Sequence, residues 1–224
     1  VGTLQRTGAV NVGGLQVPVA TTPFEHAVAA ATTSWLGTGG ASDRVGGDEG
    51  PVDTVFLGVF DRVAIEAVGL FDERLIRNQD YELNIRLRKA GGTVWFDPQL
   101  SVGYRPRGSW TALAKQYFEY GYWKAAVMRM HPESVRMRQV IAPVGVVAGV
   151  SSSVAAIRRP RLAIVPMLGA VVVSVEALRI ARDHAASTAS VITALATIPV
   201  AWTTGLLVGA LRVGIRSPAV CRVE

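Results

Sequence analysis

Between residues 140 and 211 charge all but disappears from the chain, in three long stretches. Residues 140–157 contain no Asp, Glu, Lys or Arg in 18 positions, 162–178 contain only Glu176, and 185–211 contain none in 27. A helix needs about 20 apolar residues to cross the hydrocarbon core of a bilayer. The third stretch is long enough for that, and the first two stand at the lower limit. Arg158-Arg159-Pro160-Arg161 joins the first two and leaves room only for a tight hairpin. That pair therefore either spans or forms a re-entrant or interfacial hairpin. Cations flank every stretch, so loop charge does not orient them.

Residues 1–130 read differently, with charges throughout. Two regions in two solvents explain the contrast better than one very apolar domain. The expected division is a mixed α/β domain over 1–130 and a membrane region over 131–224, with two or three helices near 140–157, 162–180 and 188–211.

The formal net charge is +6. From 101 to 139 seven cations (Arg105, Arg107, Lys115, Lys124, Arg129, Arg136, Arg138) face two anions, Glu119 and Glu133. A basic segment ahead of an apolar one suits anionic lipid headgroups. No nucleic-acid motif accompanies the charge, so membrane lipids are the expected partner and nucleic acid is not. The single cysteine, Cys221, allows no internal disulfide, which fits a cytosolic setting. No basic segment with an apolar core opens the chain, so no signal peptide is expected.

Along the first region, Asn11-Val12-Gly13-Gly14 reads as a turn. Residues 24–36 read as a helix with Phe24, Val28, Ala31 and Trp35 on one side. The glycine-rich 37–50 reads as a loop. A short strand at 55–57 follows, then a helix over 61–68 stopped by Gly69. A second helix covers 78–90, with Leu83, Leu87 and Ala90 on one face. A strand at 93–96 ends at Asp97-Pro98. Strand, helix, helix, strand in so few residues argues for a layered α/β domain. Residues 110–127 read as an amphipathic helix, either lying at a membrane surface or packed on the domain.

The chemistry-bearing residues cluster at 58–104. Asp80 stands in the first turn of a helix, where the dipole and free amides favour a carboxylate. Facing a cleft, such a group can take a proton from a hydroxyl nucleophile. Taken alone, Asp80 and Glu82 are also ordinary first-turn residues. His26, His131 and His184 are scattered with no metal-ligand spacing and read as surface or packing residues.

In order, Gly58-Val59-Phe60-Asp61-Arg62, Val68-Gly69-Leu70-Phe71-Asp72-Glu73, Asn78-Gln79-Asp80-Tyr81-Glu82-Leu83, Arg86-Leu87 and Gly91-Gly92 resemble the second half of a family 2 glycosyltransferase. The likeness is to the bacterial succinoglycan-biosynthesis type and covers roughly residues 8–140. It implies a partial GT-A-type (nucleotide-diphospho-sugar transferase) α/β domain followed by C-terminal transmembrane α-helices. It also implies an inverting hexosyltransferase in the plasma membrane, its soluble part cytoplasmic. The partners would be a nucleotide-sugar donor and a cell-envelope glycan or polyprenyl-linked acceptor. By the resemblance Asp80 is the general base, Gln79 and Glu82 shape the acceptor site, and Gly58 lies beneath acceptor or sugar. Gln116 and Trp123 stand in a segment loosely similar to one that covers the diphosphate in processive relatives. Arg105 and Arg107 are candidates for pairing with phosphate, or are lipid-facing or solvated.

The family also implies a preceding half with an Asp-x-Asp motif that holds Mg²⁺ or Mn²⁺. That motif is absent here: Asp43, Asp48 and Asp53 lack its context. The chain is therefore expected to bind nucleotide-sugar weakly or not at all, and the alternative is an inactive remnant or a non-enzymatic membrane subunit.

Overall fold

The computed structural model describes residues 1–39, 42–184 and 186–213. Cys221 and part of the glycine-rich segment lie outside them. The α/β part runs α1 (Gly2–Thr7), β1 (Asn11–Pro18), α2 (Pro23–Thr33), two single turns α3 (Trp35–Thr38) and α4 (Ser42–Val45), β2 (Gly50–Pro51), β3 (Phe56–Phe60), α5 (Arg62–Ala67), α6 (Gln79–Lys89), β4 (Val94–Tyr104) and α7 (Trp110–Met130). Three apolar helices follow: α8 (Met137–Ala156), α9 (Ile164–His184) and α10 (Thr188–Val213).

The four strands form one mixed sheet in the order β2-β4-β1-β3. β1 is parallel to β4 and antiparallel to β3. The Asn11-Val12-Gly13-Gly14 segment is thus an interior strand, not the turn its glycines suggest. Those glycines serve close approach. A Cβ on Gly14 would land on the Leu100 carbonyl, and one on Gly13 would meet the Val55 side chain at 2.5 Å.

β4 also departs from expectation, because it does not stop at Asp97-Pro98. Gly13 pairs with Phe96 and Leu15 with Ser101, so residues 97–100 bulge opposite Gly14. Asp97 Oδ1 accepts the Gln99 amide at 2.9 Å and Oδ2 accepts the Thr3 hydroxyl at 2.7 Å. The bulge satisfies the polar groups that Pro98 interrupts, and the strand resumes.

The helices follow their caps. Asp61 accepts the Ala64 amide at 2.8 Å to start α5, and Gly69, at φ 84, follows its end. Thr22 and Glu25 form a reciprocal capping box at α2. Val55, Val94 and Phe96 form a small core under the sheet. A second cluster joins Leu75, Ile85 and Val127. The largest unites Ala27, Val28, Ala30 and Ala31 of α2 with Leu113 and Tyr117 of α7, Ala177 and Ile180 of α9, and Val191, Ala194, Leu195 and Ile198 of α10.

All three C-terminal helices are long and apolar enough to cross a membrane. They differ in cover: the apolar run of α8 is bare, whereas much of α10 is buried. The helix expected at 110–127 spans Trp110–Met130 and packs along α10. Within the basic segment Lys124 is internal, whereas Arg105, Arg107, Lys115, Arg129 and Arg136 stay exposed. Lys124 is 6 % exposed, its Nζ 3.2 Å from the centre of the Tyr81 ring. Arg105 pairs with Glu25, and Arg136 with Asp53.

Candidate functional site

Helix α6 begins against α7. Its N-cap, Asn78, is left-handed at φ 61, a conformation that Asn tolerates better than most residues. Asn78 Nδ2 donates to the Tyr120 carbonyl at 3.1 Å, and Arg77 pairs with Glu119 at 3.1 Å. Further along, Glu82 turns inward, its side chain 3 % exposed. Its carboxylate accepts from Arg86 Nη2 at 2.8 Å and lies 2.9 Å from His131 Nε2 at the end of α7. Arg86 also donates to the carbonyls of Val68 and Leu70, tying down the preceding loop. The first turn of α6 is therefore fixed from both sides.

On this mount Asp80 stands exposed. Its Oδ1 accepts the Tyr81 amide at 2.8 Å, and its carboxylate is open to a solvent-borne hydroxyl. Gln79 lies half-buried beside it. Glu82 does not join them at the surface: its oxygens are engaged by Arg86 and His131, so it braces the helix and has no surface to offer a ligand.

The remaining sequence candidates fall into separate settings. Gly58 faces protein: a Cβ there would collide with the Asn11 side-chain amide. That amide donates to Asn84 Oδ1 at 2.7 Å, and Asn84 donates to Thr54 Oγ1 at 2.9 Å. The glycine is required by this buried polar chain. Arg105 Nε donates to Glu25 Oε1 at 2.9 Å. Glu25 is held down to about 2 by the Thr21 hydroxyl and amide, with help from Arg105 and the Thr22 amide. Arg107 Nε reaches Gln116 Oε1 at 3.3 Å. Gln116 is buried and donates to the hydroxyls of Tyr104 and Tyr120, each at 2.9 Å. Trp123 packs with Leu75, Ile85 and Val127. Asp80 and Gln79 thus share one surface. Arg107 and Gln116 form a separate group with the Tyr104 and Tyr120 hydroxyls, and Arg105 belongs to the start of α2.

Nothing in the sequence marks the roles of Tyr104 and His131, and Tyr120 stands out there only as part of the aromatic face of α7. The aromatic run of α7 was visible, but nothing local showed which hydroxyls turn toward Gln116. At the far end of α6, a cleft lined by Arg88, Lys89, Glu133 and Arg136 carries internal pairs: Arg136 with Asp53 at 2.5 Å and Lys89 with Glu133 at 2.5 Å. No group of three or more His, Cys, Asp or Glu among the described residues could hold a metal ion. Asp53 is committed to Arg136 and Arg88. Among the described residues no set fits the divalent ion that the resemblance implies.

The chain is 34 % identical over 135 residues to the succinoglycan biosynthesis protein ExoA of Rhizobium meliloti (strain 1021), covering 60 % of this chain and 41 % of that protein. It is 35 % identical over 78 residues to the dolichyl N-acetyl-alpha-D-glucosaminyl phosphate 3-beta-D-2,3-diacetamido-2,3-dideoxy-beta-D-glucuronosyltransferase of Methanococcus voltae. The chain is similar to glycosyltransferases. The second match covers 34 % of this chain and 24 % of the archaeal enzyme. The chain thus spans well under half the length of either relative. No protein-family model matches it, and no solved structure does. The mixed four-stranded sheet with its helices, followed by three apolar helices, is consistent with a partial GT-A domain attached to membrane helices.

Proposed function

We propose that the protein is a membrane-bound, inverting family 2 glycosyltransferase of hexosyltransferase type, and that this chain carries its acceptor side and membrane anchor. The observation that carries the reading is Asp80: an open carboxylate on a helix start pinned to α7 by Asn78 and Arg77. The similarity to ExoA and to the archaeal glucuronosyltransferase supports the reaction class.

Asp80 takes the proton of an acceptor hydroxyl as its oxygen attacks the anomeric carbon. The bond from that carbon to the nucleoside diphosphate breaks on the opposite face, and the diphosphate leaves with the bonding pair. Gln79 orients the acceptor, and the exposed Arg107 is the candidate for pairing with phosphate. The donor is a nucleotide-sugar and the acceptor a cell-envelope glycan or polyprenyl-linked saccharide. The α/β part faces the cytoplasm, where activated sugars are made, and the apolar helices sit in the plasma membrane.

A positioned general base contributes about 10²–10⁴-fold to rate. In membranes carrying the complete protein, Asp80→Asn lowers turnover by that factor while expression and thermal midpoint stay unchanged. Turnover within about threefold of the parent removes Asp80 from the mechanism. The alternative is a non-enzymatic membrane subunit, and saturable binding of labelled nucleotide-sugar by the protein rules it out.

A further inference from the structure

Helix α7 stays on the α/β domain from end to end. Near its start Leu113 and Tyr117 share a cluster with Ala27, Val28 and Ala31 of α2. In the middle, Arg77 and Asn78 hold Glu119 and the Tyr120 carbonyl. Further on, Val127 packs on Leu75 and Ile85, and the C-cap His131 meets Glu82.

Helix α10 follows α7 in the same direction. Trp110 Nε1 donates to Thr197 Oγ1 at 2.9 Å near one end, and Arg129 Nη2 donates to the Ala210 carbonyl at 3.3 Å near the other. Between them the backbones touch through glycine. A Cβ on Gly121 would strike the Trp202 carbonyl, one on Gly205 the Phe118 carbonyl, and one on Gly209 the Tyr122 carbonyl. Ahead of this stretch, Val191, Ala194, Leu195 and Ile198 close the α2 cluster. From 191 to 210, then, α10 stays within about one helix diameter, ~10 Å, of elements tied to the domain. Crossing ~30 Å of hydrocarbon would require the domain to go with it.

The other two apolar helices behave differently. Arg136 pairs with Asp53 at 2.5 Å and Gln139 reaches the Tyr81 hydroxyl at 3.4 Å, and there α8 leaves the domain. α9 returns at Ala177 and Ile180, which are buried in the α2 cluster. In between, Ile141, Val144, Val150 and Val154 of α8 and Met167, Leu168 and Val171 of α9 are exposed. Arg158, Arg159 and Arg161 sit exposed at the tip.

We propose that the chain crosses the bilayer in a single excursion, the α8–α9 hairpin, and that α10 does not cross. The partner of α10 is the lipid surface on the domain's own side. Its outward stripe, Thr193, Ala196, Val200, Thr204 and Leu207, is exposed and uncharged. It lies at the boundary of headgroups and acyl chains while the opposite face holds α7, and both ends of α10 remain on the side of the α/β domain.

The native cysteine supplies the test. Cys221 lies eight residues beyond α10. The full chain is placed in sealed vesicles and treated with a membrane-impermeant maleimide before and after lysis. Two variants in a Cys221→Ser background calibrate the sides: Glu73→Cys on the domain surface and Arg159→Cys at the hairpin tip, both exposed positions. The expected result is that Cys221 labels with Glu73→Cys, and Arg159→Cys labels only from the other side. Cys221 labelling with Arg159→Cys, on the side opposite Glu73→Cys, overturns the proposal by showing that α10 crosses. Labelling of all three from one side overturns it by showing that the hairpin does not cross.

Discussion

Two acids two residues apart carry different duties. Asp80 faces solvent and Glu82 is buried between Arg86 and His131. Removing one partner of a buried charge pair leaves the others uncompensated and costs about 3–5 kcal/mol. Glu82→Ala should therefore lower stability by about 3 kcal/mol, read as a thermal midpoint in detergent. Asp80→Asn should move it by less than about 0.5 kcal/mol; the reverse ranking contradicts the assignment of roles. Gly58→Ala should destabilise by about 1–3 kcal/mol, because the new methyl displaces Asn11. If the clash is the cause, pairing it with Asn11→Ser recovers part of the loss; a fully additive double variant contradicts that cause. Glu25 gives a pH signature. Its carboxyl ionises at about 2 in the fold against about 4.3 in an unfolded chain. Its contribution is full above pH about 4.3 and is lost as pH falls towards 2. Glu25→Gln should therefore be less stable than the parent near pH 6, with the gap closing in acid; a constant gap removes the carboxylate as the cause. Little of this was legible residue by residue. The helix period leaves Glu82 at the margin of the Leu83–Leu87 face, and its inward turn is decided by His131, 49 positions away.

At the level of elements, periodicity and the Gly69 stop placed α5 and α6 to within a residue, whereas the helix read over 24–36 ends at Thr33, where Ser34 turns extended and Trp35 opens a separate turn. Glycine was misread where it serves contact. In β1 two glycines look like a turn, yet they admit Val55 and Leu100. In α10 Gly205 and Gly209 lie four apart on one face and bring α7 close, a small-residue device common between apolar helices. Gly205→Leu should force the two helices apart. The expected result is a drop of several degrees in thermal midpoint, roughly what 1–3 kcal/mol of overpacking produces. An unchanged midpoint means that the contact is not intimate. Gly145→Leu is the control, since a Cβ there meets open space.

For the whole molecule, three apolar runs announced a membrane protein, and three helices of that kind are present. Their allotment was hidden, because an apolar stripe looks alike whether lipid or protein covers it. Of the basic segment Lys124 is buried, while Arg105, Arg107, Lys115, Arg129 and Arg136 remain exposed; beside them the bare hairpin supplies an apolar anchor that salt does not screen. Washing membranes with about 1 M NaCl, which shortens electrostatic reach to ~3 Å, should leave the chain in the pellet. Release by salt contradicts attachment through the bare hairpin.

Strand β3 ends the sheet order, paired with β1 alone among the described residues, and Leu57 and Val59 project from it to solvent. A rim of unspent amide and carbonyl groups beside bare aliphatics invites a further strand. Held by itself in micelles, a chain of this extent should self-associate with rising concentration, and Val59→Lys, which places a charge on the exposed rim, should suppress that tendency.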